Sequence, residues 1–146
     1  MPAAATYYII GMRLTAVIAD DHPGCLATLR EILQSEPGLD IVAQCANGIA
    51  AEIAIAEFGP DIAVLDVDMP GMDGIAVAAG ARNRGQGGTR FVLVTMHKDP
   101  FLMQRARDTG VQAYVLKENV VLELIPAIRC VLKGERFAGR LCSAFD

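Results

Sequence analysis

The chain has 146 residues, of which 53% are hydrophobic, and a formal net charge of −4 at pH 7. This length suits one domain with a sizeable core, and no apolar run reaches the roughly 20 residues of a membrane-spanning helix. The acidic balance and the lack of any Lys/Arg run argue against nucleic-acid binding by the chain itself. Four cysteines without a CxxC pair, and no secretory signal, predict reduced thiols in a cytoplasmic protein.

Apolar runs alternate with segments of helical periodicity along the chain, and Pro or Gly marks most of the boundaries. Unalternating apolar runs indicate strands that are buried on both faces. The predicted strands cover residues 14–19, 39–46, 62–66, 91–95 and 113–116. The predicted helices cover residues 23–36, 49–58, 74–84, 100–109 and about 120–133. This strict alternation predicts an α/β fold of the (βα)5 type, in which helices cover both faces of a parallel sheet.

Two helices carry further signals. In the Ala-rich second helix, Ile49, Ile53 and Ala56 share one side. In the last helix, Pro126 lacks a backbone donor and its ring clashes with the carbonyl of Leu122, which predicts a kink or a loosened first turn.

Polar side chains stand where the predicted strands end. Asp20 and Asp21 follow the first strand and Asp66 ends the third, while Thr95 ends the fourth and Lys117 follows the fifth. Each residue alone suits a turn or a solvated surface. In a parallel sheet, however, all carboxyl ends lie at one edge, where ligands bind. Three carboxylates, a hydroxyl and an ammonium at that edge therefore indicate a functional site.

The chemistry of this residue set favours a metal and a phosphoryl group. Three carboxylates repel one another unless a cation joins them, and Mg²⁺ prefers a few carboxylates together with phosphate oxygens. The backbone carbonyl of Asp68 is a candidate further ligand. An ionised Asp66 would attack phosphorus, while Lys117 and Thr95 stabilise charge on the phosphoryl oxygens. The expected product is an aspartyl phosphate.

The order of these motifs resembles a known family. The motifs are Asp20-Asp21, Asp66-x-x-Met69-Pro70-x-Met72-Asp73-Gly74, Thr95 and Lys117. Together they resemble the receiver domain of bacterial response regulators over residues 12–137. The segments 19–23, 95–100 and 127–137 resemble the NarL/FixJ (LuxR-type) branch in particular. The resemblance implies a doubly wound, flavodoxin-like three-layer sandwich with strand order 2-1-3-4-5.

The resemblance also implies roles for individual residues in a switch driven by a sensor histidine kinase or a phosphotransfer protein. Asp66 would be the phosphoacceptor, with Mg²⁺ held by Asp20, Asp21, Asp66 and the Asp68 carbonyl. Thr95 and Lys117 would contact the phosphoryl group. Thr95 and Tyr114 would change conformation together. The positions expected to tune phosphate access and lifetime are Asp68, Met96 and His97.

The resemblance leaves the output open. LuxR-type regulators continue into a helix-turn-helix domain, which this sequence lacks, so control of transcription would act through a domain outside the chain. The expected division is an extension at 1–11, with Met12 as a hypothetical natural start, a receiver at 12–137 and a tail at 138–146. A homodimer is possible, no membrane contact is expected, and the chain would assist only its own phosphorylation and dephosphorylation rather than act as an enzyme.

Two alternatives remain. One is a stand-alone or phosphorylation-independent interaction module with a receiver fold. The other is a phosphatase of the haloacid dehalogenase type, whose D-x-D pattern Asp66-Val67-Asp68 matches. That family also needs a later acidic pair at a strand end, and the residues after Lys117 offer none.

Overall fold

The computed structural model describes residues 13–139, and within them the predicted alternation of strands and helices is confirmed. The strands are β1 (Leu14–Ala19), β2 (Leu39–Cys45), β3 (Ile62–Asp66), β4 (Arg90–Thr95) and β5 (Ala113–Leu116). The helices are α1 (Pro23–Gln34), α2 (Gly48–Phe58), α3 (Gly74–Asn83), α4 (Pro100–Asp108) and α5 (Val120–Leu132). A short 3₁₀ turn, Lys117–Asn119, precedes α5.

The five strands form one parallel sheet in the order β2-β1-β3-β4-β5. The doubly wound, flavodoxin-like fold predicted from the resemblance is therefore confirmed. In the centre of the sheet, Ile62 pairs with Ala16 on one side and with Arg90 on the other. This register brings the carboxyl ends of β1, β3 and β4 to the same edge.

Alternate residues of the strands face two separate hydrophobic cores. One core lies under α2, α3 and α4 and includes Val17, Leu65, Leu93 and Tyr114. The other lies under α1 and α5 and includes Ile18, Ile62, Val64 and Val115. Both faces of the central strands are buried, which explains why their sequences are continuous apolar runs.

Helix α2 buries the side opposite to Ile49 and Ile53. Ile49 and Ile53 are 54% and 60% exposed, and Ala56 shares their exposed side. Its buried residues are Gly48, Ala51, Ala54 and Ile55. Apart from Ile55, the side chains on the buried side are small and let the helix lie close to its neighbours, while Ile49 and Ile53 face solvent.

Helix α5 is continuous through Pro126, whose side chain is exposed. The predicted kink remains a prediction. After α5, Phe137 forms a parallel bridge with Ala113 at the outer edge of β5, which the sequence did not indicate. The extension at 1–11, Met12 and Cys142 lie outside the described residues. The division of the chain at residues 12 and 137 remains a prediction.

Candidate functional site

The two central strands deliver buried carboxylates to the edge of the sheet. Asp20 directly follows β1 and Asp66 is the last residue of β3, and both are almost fully buried. Gly74 begins α3 directly against this strand end. Its N–H donates to the Val67 carbonyl over 3.0 Å, and a Cβ there would lie 2.3 Å from the backbone oxygen of Asp66. A glycine is therefore required for α3 to start so close to the carboxylate.

Four side chains converge into one cluster. Ligand atoms of Asp20, Asp21, His22 and Asp66 lie within 4.8 Å of one another. The His22 N–H donates to Asp20 Oδ1 over 2.9 Å, and its Nδ1 lies 3.1 Å from Asp21 Oδ1. Three carboxylates so close together, two of them buried, fit a hard divalent cation that prefers oxygen ligands. His22 was missed as a neighbour of this cluster, although its place directly after the acidic pair was a usable signal.

Lys117, which directly follows the edge strand β5, supplies a positive charge to the cluster. Its Nζ lies 2.9 Å from Asp20 Oδ2 and 3.4 Å from Asp66 Oδ2, and only 13% of its side chain is exposed. Burial on its own would lower the pKa of Lys117, but its contacts with Asp20 and Asp66 raise that pKa above its ordinary value. Lys117 is therefore held as a cation at the predicted phosphate position.

The environment of Asp66 disfavours its ionised form. Burial raises the pKa of Asp66 to about 6, and repulsion from Asp20 adds to this effect. Attraction to Lys117 opposes both. Since the nearby ammonium does not fully offset burial and the repulsion from Asp20, a further cation at this place would stabilise the ionised form.

Thr95 and Tyr114 are joined through the main chain of His97. Thr95 is fully buried one residue after Val94, which pairs with Asp66 in the sheet. Its Oγ1 accepts a hydrogen bond from the His97 N–H over 3.2 Å. The Tyr114 hydroxyl donates to the His97 carbonyl over 3.0 Å from a fully buried ring. Burial raises the pKa of Tyr114 to about 12, and a hydrogen bond with Thr95 partly offsets this.

Three exposed residues stand around the site. The His97 imidazole contacts the Asp68 carboxylate, which joins the loop after β4 to the loop after β3. Met96 is 74% exposed and borders a groove of about 250 Å³ beside Lys117. Their tuning roles, and the ligand role of the Asp68 carbonyl, stay predictions.

A family model described as "Response regulator receiver domain" matches residues 16–129. The chain therefore belongs to the response regulator receiver family, and this membership argues against the haloacid dehalogenase alternative. Members of this family are normally not classical enzymes.

Individual relatives place the chain in the NarL/LuxR group, as the resemblance predicted. The transcriptional regulatory protein NarL of Mycobacterium tuberculosis is 32% identical over 122 residues, covering 84% of this chain and 56% of NarL. The transcriptional activator EvgA of Escherichia coli is 31% identical over 138 residues, covering 89% of this chain and 67% of EvgA. The chain thus spans little more than half the length of NarL.

Solved structures agree with this placement. The receiver domain of NarL from Mycobacterium tuberculosis superposes with a TM-score of 0.80 at 31% identity, covering 85% of this chain and 99% of that one. A LuxR-family response regulator from Aurantimonas sp. SI85-9A1 gives 0.83 at 29% identity, covering 91% and 95%. Within residues 13–139, no helix has the length and apolar character needed to span a membrane.

Proposed function

We propose that this receiver accepts a phosphoryl group on Asp66 and changes its surface in response. One observation carries the proposal: a buried Asp66 lies beside Asp20 and within 3.4 Å of the Lys117 ammonium, at the carboxyl edge of a parallel sheet. A nucleophile, a set of oxygen ligands and a cation for the phosphoryl oxygens are thereby assembled in one place.

We assign Mg²⁺ to the carboxylates of Asp20, Asp21 and Asp66 and to the backbone carbonyl of Asp68. The raised pKa of Asp66 supports this assignment, because burial and repulsion from Asp20 disfavour the ionised carboxylate and one lysine does not fully offset them. Bound Mg²⁺ would neutralise charge on the phosphoryl oxygens.

The residues of the chain then perform the transfer. A carboxylate oxygen of Asp66 forms a bond to the phosphorus of a phosphohistidine, and the P–N bond breaks. The histidine nitrogen keeps the electron pair. Lys117 pairs with a phosphoryl oxygen and Thr95 donates its hydroxyl to another. Each chain carries one phosphoryl group, so it assists its own phosphorylation and dephosphorylation without being an enzyme in the usual sense.

The proposed switch joins Thr95 to Tyr114. When the Thr95 hydroxyl turns to the phosphoryl group, its contacts with His97 and Tyr114 must readjust. A doubly charged group thus biases the position of a buried ring. Asp68, Met96 and His97 surround the entry and tune the access and lifetime of the phosphoryl group.

The phosphodonor in this proposal is a sensor histidine kinase or a phosphotransfer protein, and a homodimer is compatible with it. The output is transcription, through a helix-turn-helix domain outside this chain. NarL and EvgA are named as transcriptional regulators, which supports this output. We retain the division into 1–11, 12–137 and 138–146 as part of the proposal. A cytoplasmic location fits the free thiols of Cys25, Cys45 and Cys130.

Intact-protein mass spectrometry tests the proposal. The protein is incubated with Mg²⁺ and a panel of phosphorylated histidine kinases or small phosphodonors. We expect one added phosphoryl group on the wild type and on Asp108→Asn, an exposed aspartate far along the sequence from the cluster, and none on Asp66→Asn. No adduct with any donor would contradict the proposal and favour the phosphorylation-independent module.

A further inference from the structure

The last described residues form a strap on the outer edge of the sheet. This C-terminal strap, residues 137–139, follows α5 and runs parallel to β5. The Phe137 N–H donates to the Gln112 carbonyl over 3.0 Å, and the Tyr114 N–H donates to the Phe137 carbonyl over 3.0 Å. The strap therefore pairs with the first residues of the edge that β5 would otherwise present to solvent.

The strap contacts both cores of the domain. Phe137 is partly buried against the core under α1 and α5. Ala138 is only 4% exposed and belongs to the opposite core, the one that contains Tyr114. A docked strap thus depends on the packing of both faces of the sheet.

Gly139 lies close to α5 in a conformation that favours glycine. Its φ is +53°, a left-handed conformation that favours glycine, and a Cβ there would lie 2.1 Å from Oε2 of Glu123 in α5. The chain therefore turns tightly against the first turn of α5 when the strap is docked.

We propose that the strap carries the state of Tyr114 to the chain beyond residue 139. This inference rests on the proposed function, because phosphorylation of Asp66 must bias the tyrosine. Tyr114 is bonded at both ends: its hydroxyl to the His97 carbonyl at the site, and its backbone N–H to the strap. A single residue therefore joins the phosphoryl-acceptor edge to the C-terminal segment.

Packing gives the direction of the effect. The buried ring of Tyr114 and the side chain of Ala138 belong to one core, so rotation of the ring out of that core should loosen the packing that holds Ala138. The inward ring and the docked strap stabilise each other. Phosphorylation that holds Tyr114 inward should tighten the strap, and by linkage an undocked strap should weaken the phosphorylated state by the same factor.

Hydrogen exchange by NMR tests this coupling in the whole chain. Mg²⁺ and beryllium fluoride are added, and fluorine NMR scores the adduct separately. We expect the adduct to raise the protection of the Phe137 amide by about fivefold or more relative to the Leu14 amide. Leu14 is a suitable reference because its N–H bonds to Gly38 at the other end of the strands. An adduct without this rise would overturn the proposal.

Variants test the reverse direction. Ala138→Glu places a charge in a buried position and should undock the strap, lowering the affinity for beryllium fluoride by about fivefold or more. Arg136→Glu changes the charge at an exposed position two residues earlier. It should alter neither the protection of the Phe137 amide nor the affinity for beryllium fluoride. Retained Leu14 protection shows that the fold survives. An undocked strap with wild-type affinity would overturn the proposal.

A third comparison needs no adduct, so it separates failure of the strap from failure of the proposed function. If the wild type forms no adduct, the proposed function fails. In the ligand-free protein, Tyr114→Ala should still lower the protection of the Phe137 amide relative to the Leu14 amide. Ile55→Ala creates a cavity in the same core under α2 and should lower the protection of both amides to the same extent. Equal effects of the two variants would overturn the coupling of Tyr114 to the strap.

Discussion

The ammonium of Lys117 lies 3.4 Å from Oδ2 of Asp66, and the same nitrogen lies 2.9 Å from Oδ2 of Asp20. Lys117 directly follows the edge strand β5, whereas the two carboxylates lie at the carboxyl ends of the neighbouring strands β1 and β3. One cation therefore joins strand ends that are not adjacent to its own. It partly neutralises a cluster whose carboxylates would otherwise repel one another in a buried place.

Lys117→Ala should destabilise the protein, because it leaves two buried carboxylates without their cation. We expect the free energy of unfolding at pH 7 to fall by about 2–4 kcal/mol, measured by urea denaturation without divalent ions. The matched control is Lys98→Ala, which removes an exposed pair with Glu118 and should cost under about 0.5 kcal/mol. Equal losses for the two variants would show that the Lys117 contacts have no special weight.

Asp66→Asn should stabilise the metal-free protein at neutral pH. The pKa of Asp66 is about 6 in the folded state, above its ordinary value of 3.8. A raised carboxyl pKa contributes stability that is present below the ordinary pKa and is lost as pH rises through about 6. Between about pH 4 and 7 the wild type should lose stability relative to Asp66→Asn, which becomes the more stable by about 1–3 kcal/mol. Urea unfolding in a chelator checks this, and a constant difference across the range would contradict it.

Gly74→Ala should distort the strand end that carries Asp66. The new Cβ would lie 2.3 Å from the Asp66 backbone oxygen, so α3 must move. We expect a loss of about 2 kcal/mol or more in unfolding free energy, together with weaker binding of beryllium fluoride. Gly87→Ala is the control, because its Cβ meets open space, and it should change stability by less than about 0.5 kcal/mol. Similar losses in both variants would refute the requirement for close approach.

Met96→Ala should speed phosphorylation by small donors, because Met96 is 74% exposed beside the groove that leads to Lys117. We expect the initial rate of phosphorylation to be about threefold higher, as measured by intact-protein mass spectrometry over time. The control is Phe101→Ala, which also shortens an exposed apolar side chain close to Met96 in the sequence. It should leave the rate unchanged. An unchanged rate in Met96→Ala would remove Met96 from the set of tuning residues.

Much of the fold and of the site follows from the sequence for a simple physical reason. Strands buried on both faces need continuous apolar runs, and parallel strands bring their carboxyl ends to one edge, so Asp20, Asp66 and Lys117 had to be neighbours. The buried side of α2 could not be predicted from the sequence. Ala51 and Ala54 allow a close packing of the helix that the larger Ile49 and Ile53 would not allow. The strap was not predicted, because the single bridge at Phe137 depends on a sheet edge that exists only in the folded protein.

The most direct measurement of the central claim is the position of the phosphoryl group. The phosphorylated protein is reduced with sodium borohydride, which converts an aspartyl phosphate to homoserine and leaves free carboxylates unchanged, and the peptides are analysed by mass spectrometry. We predict homoserine at position 66 alone. Homoserine at Asp20, Asp21 or Asp68, or a phosphorylated protein that yields no homoserine, would contradict the account.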